Sequence, residues 1–334
     1  MPLFERLSKR QEAIGTELQM PTFAKVLACV AALLLACSAQ TVVAEPKVIT
    51  SIKPLQLLAA EIQNGLGQPT VLLPPGASPH NYFLRPSDLT RLRDADLVYW
   101  IGPDLEVFLI KTLNRRLRPT VAVQELSGMH LRHFGEVSTA AGKESAAELP
   151  GDEHDDVHRE GSLDAHIWLR PSNALIIARH MADDLSAIDP ANSARYQANF
   201  ESFSQRLAAK DLQLKSRLGA LVHKPFFVFH QTFDYFEEAY GLRHAGVLAV
   251  GSSDAQPGAR HVADMRKKLE LAGPSCVFSE PPLRPRLAET LTAGLPVQFA
   301  ELDALGFGFQ AVPGGYEKLI GTLGDDLARC LERL

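Results

Sequence analysis

Residues 47–74 read KVITSIKPLQLLAAEIQNGLGQPTVLLP, and the hydrophobic pattern changes twice along them. Val48, Ile49 and Ile52 form a short apolar run of strand length. Behind Pro54, Leu55, Leu58 and Ile62 recur at helical spacing until Gly65 and Gly67 stop the segment. Val71, Leu72 and Leu73 then repeat the strand signal up to Pro74. Strand, helix, strand is the unit of an α/β layer. The rhythm continues in DLTRLRDADLVYWIG and DLEVFLIKTLNRR, and it resumes after residue 224 as PFFVF, GVLAV, ARHVADMRKKLELAG, SCVFS, RPRLAETLTAG and PVQFAELDALG. The expected fold is therefore α/β, with two Rossmann-like parallel-sheet lobes joined by a long rigid helix. Loops at the carboxyl ends of such strands converge on a crevice, which places a ligand in the cleft between the lobes.

Working outward, the expected organisation is an N-terminal lobe over 45–168, a connecting helical region over 169–199 and a C-terminal lobe over 200–334. Pro171, Ser172 and Asn173 introduce ALIIARHMADDLSAI, a helix stopped near Asp189 and Pro190, and a second helix starts near Ser193. Between about 130 and 164 the apolar period is lost, and an exposed loop rich in Asp, Glu and His is expected there.

Residues 1–44 stand apart from this body. Lys25 precedes VLACVAALLLA at 26–36, and TVVA before Glu45 reads as a small-residue cleavage site after Ala44, so an exported, periplasmic protein is expected. The charged residues ahead of Met20 are consistent with an overextended start. LLAC at 34–37 offers a second outcome, lipid anchoring through Cys37. No later run reaches the roughly 20 apolar residues that span a bilayer. Removing 1–44 changes 34 Lys and Arg against 39 Asp and Glu into 30 against 36, a shift in formal charge from -5 to -6. With no basic run, a nucleic-acid partner is not expected. Cys276 and Cys330 then remain, and in an oxidising compartment one structural disulfide between them is expected, with a pair of buried thiols as the alternative.

Three histidines stand in or after apolar, strand-like segments: His80 in PPGASPHNYF and His230 in PFFVFHQTF follow such runs, and His166 in DAHIWLRP sits beside Ile167, Trp168 and Leu169, where strand alternation sends imidazole and packing residues to different faces. Asp303, in QFAELDALG, occupies a similar place. Each alone reads as a core, surface or capping residue. Together, three imidazoles and a carboxylate make a credible Zn2+ shell, and their wide spacing means that folding must assemble it. No HExxH helix is present for a zinc hydrolase, and Glu280 in FSEPPLRP reads as a residue that orients its loop.

LLPPGASPHNYFLRPSDLTRL, ADLVYWIGPDLE, DAHIWLRPSNA, FVFHQTFDYFEEAYGL, QPGARHVADM and FSEPPLRP, in that order, resemble the zinc-binding members of the metal-specific solute-binding family that serve ABC importers. The resemblance covers most of residues 48–334. It implies a monomeric, non-enzymatic protein that captures Zn2+ and delivers it to a cognate permease coupled to an ATPase. It carries metal ligation onto His80, His166 and His230, with Asp303 or water completing the shell. The manganese branch commonly has a carboxylate at the position of His230, so zinc is expected over manganese or another divalent metal. Pro79 stands where some zinc relatives have Glu. His154 and His158, within GDEHDDVHREG, are expected to assist metal capture, with His130 and His133 as weaker candidates. A metal-dependent adhesin and a zinc-dependent hydrolase are the alternatives from other functional classes.

Overall fold

The computed structural model of the chain describes residues 45–135, 160–248, 259–281, 288 and 291–334. The export segment with Cys37, and the loop residues His154 and His158, lie outside the described residues. The opening stretch forms β1 (Val48–Thr50), α1 (Lys53–Ile62) and β2 (Thr70–Val71). With α2 (Pro86–Asp94), β3 (Leu97–Trp100), α3 (Val107–Leu113) and β4 (Thr120–Ala122), it builds a four-stranded parallel sheet of order β2-β1-β3-β4. Every residue of β1 and β3 is buried, which is why both read as near-continuous apolar runs instead of alternating.

A short antiparallel hairpin follows, β5 (Arg132–His133) paired with β6 (Leu163–Asp164). The chain then enters α4 (Pro171–Ile188) and α5 (Ser193–Gly219), which pack along each other. Two helices carry the connection: α4 packs on α1, and the 27-residue α5 leads to the second sheet. The break between them is built by Asp189, whose carboxylate accepts the Tyr196 hydroxyl at 2.9 Å and the Asn192 amide at 2.8 Å, and by Pro190, which has no N–H to continue α4.

The second sheet contains β7 (Phe226–Val228), β8 (Gly246–Val247), β9 (Ser275–Ser279) and β10 (Val297–Glu301), with α6 (Asp234–Tyr240), α7 (Ala259–Ala272) and α8 (Gly315–Leu331). It is parallel, with order β10-β9-β7-β8. Read from its other edge, this is the order of the first sheet. Each sheet thus has a switch point between its first and third strands, where successive connections leave in opposite directions and a crevice opens.

The layers meet at α1, where Leu55, Leu57, Leu58, Ala59 and Ile62 are fully buried under α4, α5 and α8. Glu61 is buried with them. Its carboxylate accepts the Gly314 N–H at 2.6 Å and pairs with Arg206 of α5, which also reaches Glu317 of α8 at 2.7 Å. Burial, then the charge of Glu317, push the Glu61 carboxyl up to about 8. This polar knot ties elements of both sheets to the connecting helix.

On the far side of α8, Cys330 is disulfide-bonded to Cys276 of β9, across a sequence separation of 54. Loop closure of that length restricts the unfolded chain by about 4 kcal/mol in the chain-entropy account. Replacing both cysteines by alanine is therefore expected to lower the unfolding free energy by about 2–4 kcal/mol in chemical denaturation. An unchanged denaturation midpoint would show that the bridge contributes nothing to stability.

Candidate metal site

The three histidines reach their positions by different local devices. His80 lies in the loop after β2, where its N–H donates to the Ser78 hydroxyl at 3.2 Å. The sequence pattern predicts a strand through His166, but β6 ends at Asp164 and a 3-10 turn, Ile167–Leu169, follows the histidine. Asp164 makes the bend: its Oδ1 accepts the His166 N–H at 3.0 Å and lies 2.7 Å from His166 Nδ1. Trp168 anchors the turn by donating its indole N–H to the Ala304 carbonyl at 2.9 Å, while the Tyr316 hydroxyl donates to the Trp168 carbonyl at 2.7 Å. His230 stands two residues beyond β7, and Glu280 directly follows β9, so both occupy the switch point of the second sheet.

These segments bring the imidazoles of His80, His166 and His230 together, with ligand atoms within 4.8 Å of one another. Ring centroids are separated by 5.6 to 5.7 Å. A tetrahedral shell with metal–nitrogen bonds of about 2.0–2.1 Å needs nitrogens roughly 3.4 Å apart, a separation that imidazoles gathered this closely can reach around one ion. His166 is 3% exposed, whereas His80 and His230 are half-buried, which gives the cluster one dry wall and one open side.

Carboxylates orient two of the rings. Asp164 holds Nδ1 of His166, and Glu280 Oε1 lies 3.1 Å from Nδ1 of His230. The Thr232 hydroxyl sits 2.6 Å from that same nitrogen and donates to Glu280 at 2.9 Å. In both rings the carboxylate engages Nδ1, the arrangement by which an outer partner fixes an imidazole's tautomer and direction. Burial pushes the Glu280 carboxyl upward, but the hydrogen bond and charge of His230, helped by His166 and Thr232, hold it below the usual range. Burial, and then the charges of His166 and His230, drive the His80 imidazole well below its ordinary value. Near neutral pH His80 therefore carries its basic lone pair unprotonated, as metal ligation requires.

Asp303 is not among the converging side chains. Its carboxylate accepts backbone N–H groups from Leu305 at 3.0 Å, Gly306 at 2.7 Å and Phe307 at 3.0 Å, making the turn whose Ala304 carbonyl receives Trp168. Burial raises its pKa, against the pull of those three donors. His130 and His133 are likewise outside the cluster, and His130 faces Glu238 at 3.1 Å. A second convergent group, Asp234, Glu237 and His244, is an ion pair: burial disfavours the charged His244 ring, but Glu237 at 2.9 Å and then Asp234 raise its pKa, so a proton takes a cation's place. The residues missed from sequence are Asp164 and Thr232, and the role of Glu280 was read only as loop orientation. DAH and HQT carried a signal, since a carboxylate or hydroxyl two residues from a ligand can turn back onto the imidazole.

Two parallel-sheet lobes with an open-sided histidine triad at their seam define a metal-binding solute receptor. A family profile described as zinc-uptake complex component A, periplasmic, matches residues 48–330, and the chain belongs to that family, ZnuA. The high-affinity zinc uptake system protein ZnuA of Yersinia pestis is 36% identical over 299 residues, covering 86% of this chain and 92% of its own. The protein of the same name from Haemophilus ducreyi is 32% identical over 308 residues, covering 90% and 97%. Among solved structures, a crystal structure of ZnuA matches with a TM-score of 0.69 at 21% identity, covering 86% of this chain and 99% of that one. The SBP FpvC of Pseudomonas aeruginosa in complex with Mn2+ matches at 0.70 with 19% identity over the same shares. At such identities the structural likeness speaks for the fold alone.

If Asp303 acts as a turn cap, Asp303→Ala lowers stability by about 1–3 kcal/mol through its orphaned buried donors. Zinc affinity, read by chelator competition, is expected to stay near that of the parent. A loss matching that of His230→Ala would instead make Asp303 a ligand.

Proposed function

We propose that this chain captures Zn2+ through Nε2 of His166 and His230 together with the His80 imidazole, and delivers the ion to an ABC permease driven by its partner ATPase. The observation that carries this reading is the convergence of three imidazoles from three distant segments, two of them oriented by outer carboxylates. An all-nitrogen triad suits zinc, whereas manganese is better served by carboxylate-rich sites. Water takes the fourth position, because both oxygens of Asp303 are engaged by backbone donors. An open position suits a carrier that must also release its cargo.

We read the protein as a carrier without catalytic activity, in keeping with the uptake role named for its family. We read it as a monomer, because three histidines converging within one chain need no second copy to complete the set. Cleavage after Ala44 leaves it in the periplasm, and among the described residues no helix is long and apolar enough to cross a membrane. The acidic loop with His154 and His158 assists capture.

Titration of metal-free protein is expected to give one tightly held Zn2+ per chain and strong discrimination against Mn2+. His80→Ala, His166→Ala and His230→Ala should each cost more than the roughly 10–100-fold that loss of an outer partner costs. Full zinc affinity in all three variants would sink the assignment.

A further inference from the structure

The seam beside His166 holds a phenol that packing alone does not explain. Tyr235 is fully buried on α6, the helix that begins four residues after His230. Its hydroxyl accepts the backbone N–H of Arg132 at 2.8 Å and donates to the backbone carbonyl of Asp164 at 2.8 Å. Arg132 and Asp164 face each other in the β5–β6 hairpin. A side chain from the second lobe thus bridges two opposed strands of the first. One of those strands ends at Asp164, the residue that bends the chain onto His166 and holds its ring.

Ion pairs surround this buried centre. The Arg132 guanidinium pairs with Glu238 and lies 3.9 Å from Asp234, both on α6. Glu238 also receives Arg170 at 3.3 Å and faces His130 at 3.1 Å. The bases come from the segments flanking His166, and the acids come from the helix following His230. A buried tyrosine needs only one partner for its hydroxyl. This one has two, both backbone groups of the hairpin that leads to His166.

We propose that Tyr235 is an interlobe positioning residue for zinc retention. Its hydroxyl locks the strand leading to His166 against the helix following His230, and the two hydrogen bonds must break before these ligands can part. The inference rests on the reading of His80, His166 and His230 as the zinc site. Withdrawing the phenol leaves a buried N–H and a buried carbonyl without it, which makes the separated arrangement costly and opening slow.

Tyr235→Phe keeps the ring and removes only the hydroxyl. In stopped-flow experiments with a chelator, zinc dissociation from this variant is expected to be at least about 10-fold faster than from the parent, the scale seen for outer-shell losses. The association rate should change far less, because related binding variants differ mainly in how fast they release. A purely structural tyrosine would lower the apo melting temperature and leave the release rate alone, so an unchanged release rate in folded Tyr235→Phe overturns the proposal. Glu238→Gln, at the rim of the same seam, is expected to speed release in the same direction. Should Tyr235→Phe fail to fold, an unchanged rate in Glu238→Gln overturns the proposal instead. Absence of zinc binding by the parent protein would strike the site assignment itself, which keeps the two failures distinct.

Discussion

Three imidazoles forced to share one point is the constraint on which the rest of the structure depends. A proton on His166 or His230 repels one on His80, and burial adds to the penalty, so the His80 ring is held well below its ordinary pKa. Imidazoles gathered in this way favour a cation over protons, provided their nitrogens can close to about 3.4 Å around it. The protein spends side-chain chemistry on direction: Asp164 on His166, and Glu280 with Thr232 on His230. The histidines themselves come from segments far apart in sequence. The packing of the two sheets on α1 and α8, with α4 and α5 joining those helices, brings the segments together.

The repeated topology explains where the three histidines fall. In the second sheet, His230 and Glu280 follow the adjacent strands β7 and β9, at the point where the connections diverge. The first lobe contributes His80 from the loop after β2 and His166 from the turn after the hairpin. That turn is gripped from the second lobe through Trp168 and the Ala304 carbonyl, and Tyr316 seals it. Asp303 shapes the gripping loop, which gives it a structural task close to the site without making it one of the converging groups. Metal geometry, hairpin and interlobe seam are therefore one connected assembly, with its dry side at His166.

Much of this was legible in the sequence. Strand and helix signals in residues 47–74 matched β1 and α1, because a fully buried parallel strand and a largely buried helix both leave dense apolar runs, whereas β2 pairs only at Thr70–Val71 although its apolar signal runs on through Leu73. His80 and His230 were legible through their placement after such runs, and His166 joined them through the family resemblance. His166 was misplaced onto a strand because IWL looks like alternating strand, whereas the Asp164 side chain turns the backbone first. Glu280 reaches His230 across 50 residues of sequence, and Tyr235 reaches the hairpin across 71 or more. Such contacts depend on tertiary placement, which no local spacing encodes.

X-ray absorption spectroscopy of the protein loaded with one equivalent of Zn2+ tests the central claim most directly. The structure predicts a four-coordinate zinc with three imidazole nitrogens and one oxygen at about 2.0–2.1 Å. A first shell containing sulfur, or fewer than three imidazoles, would contradict it.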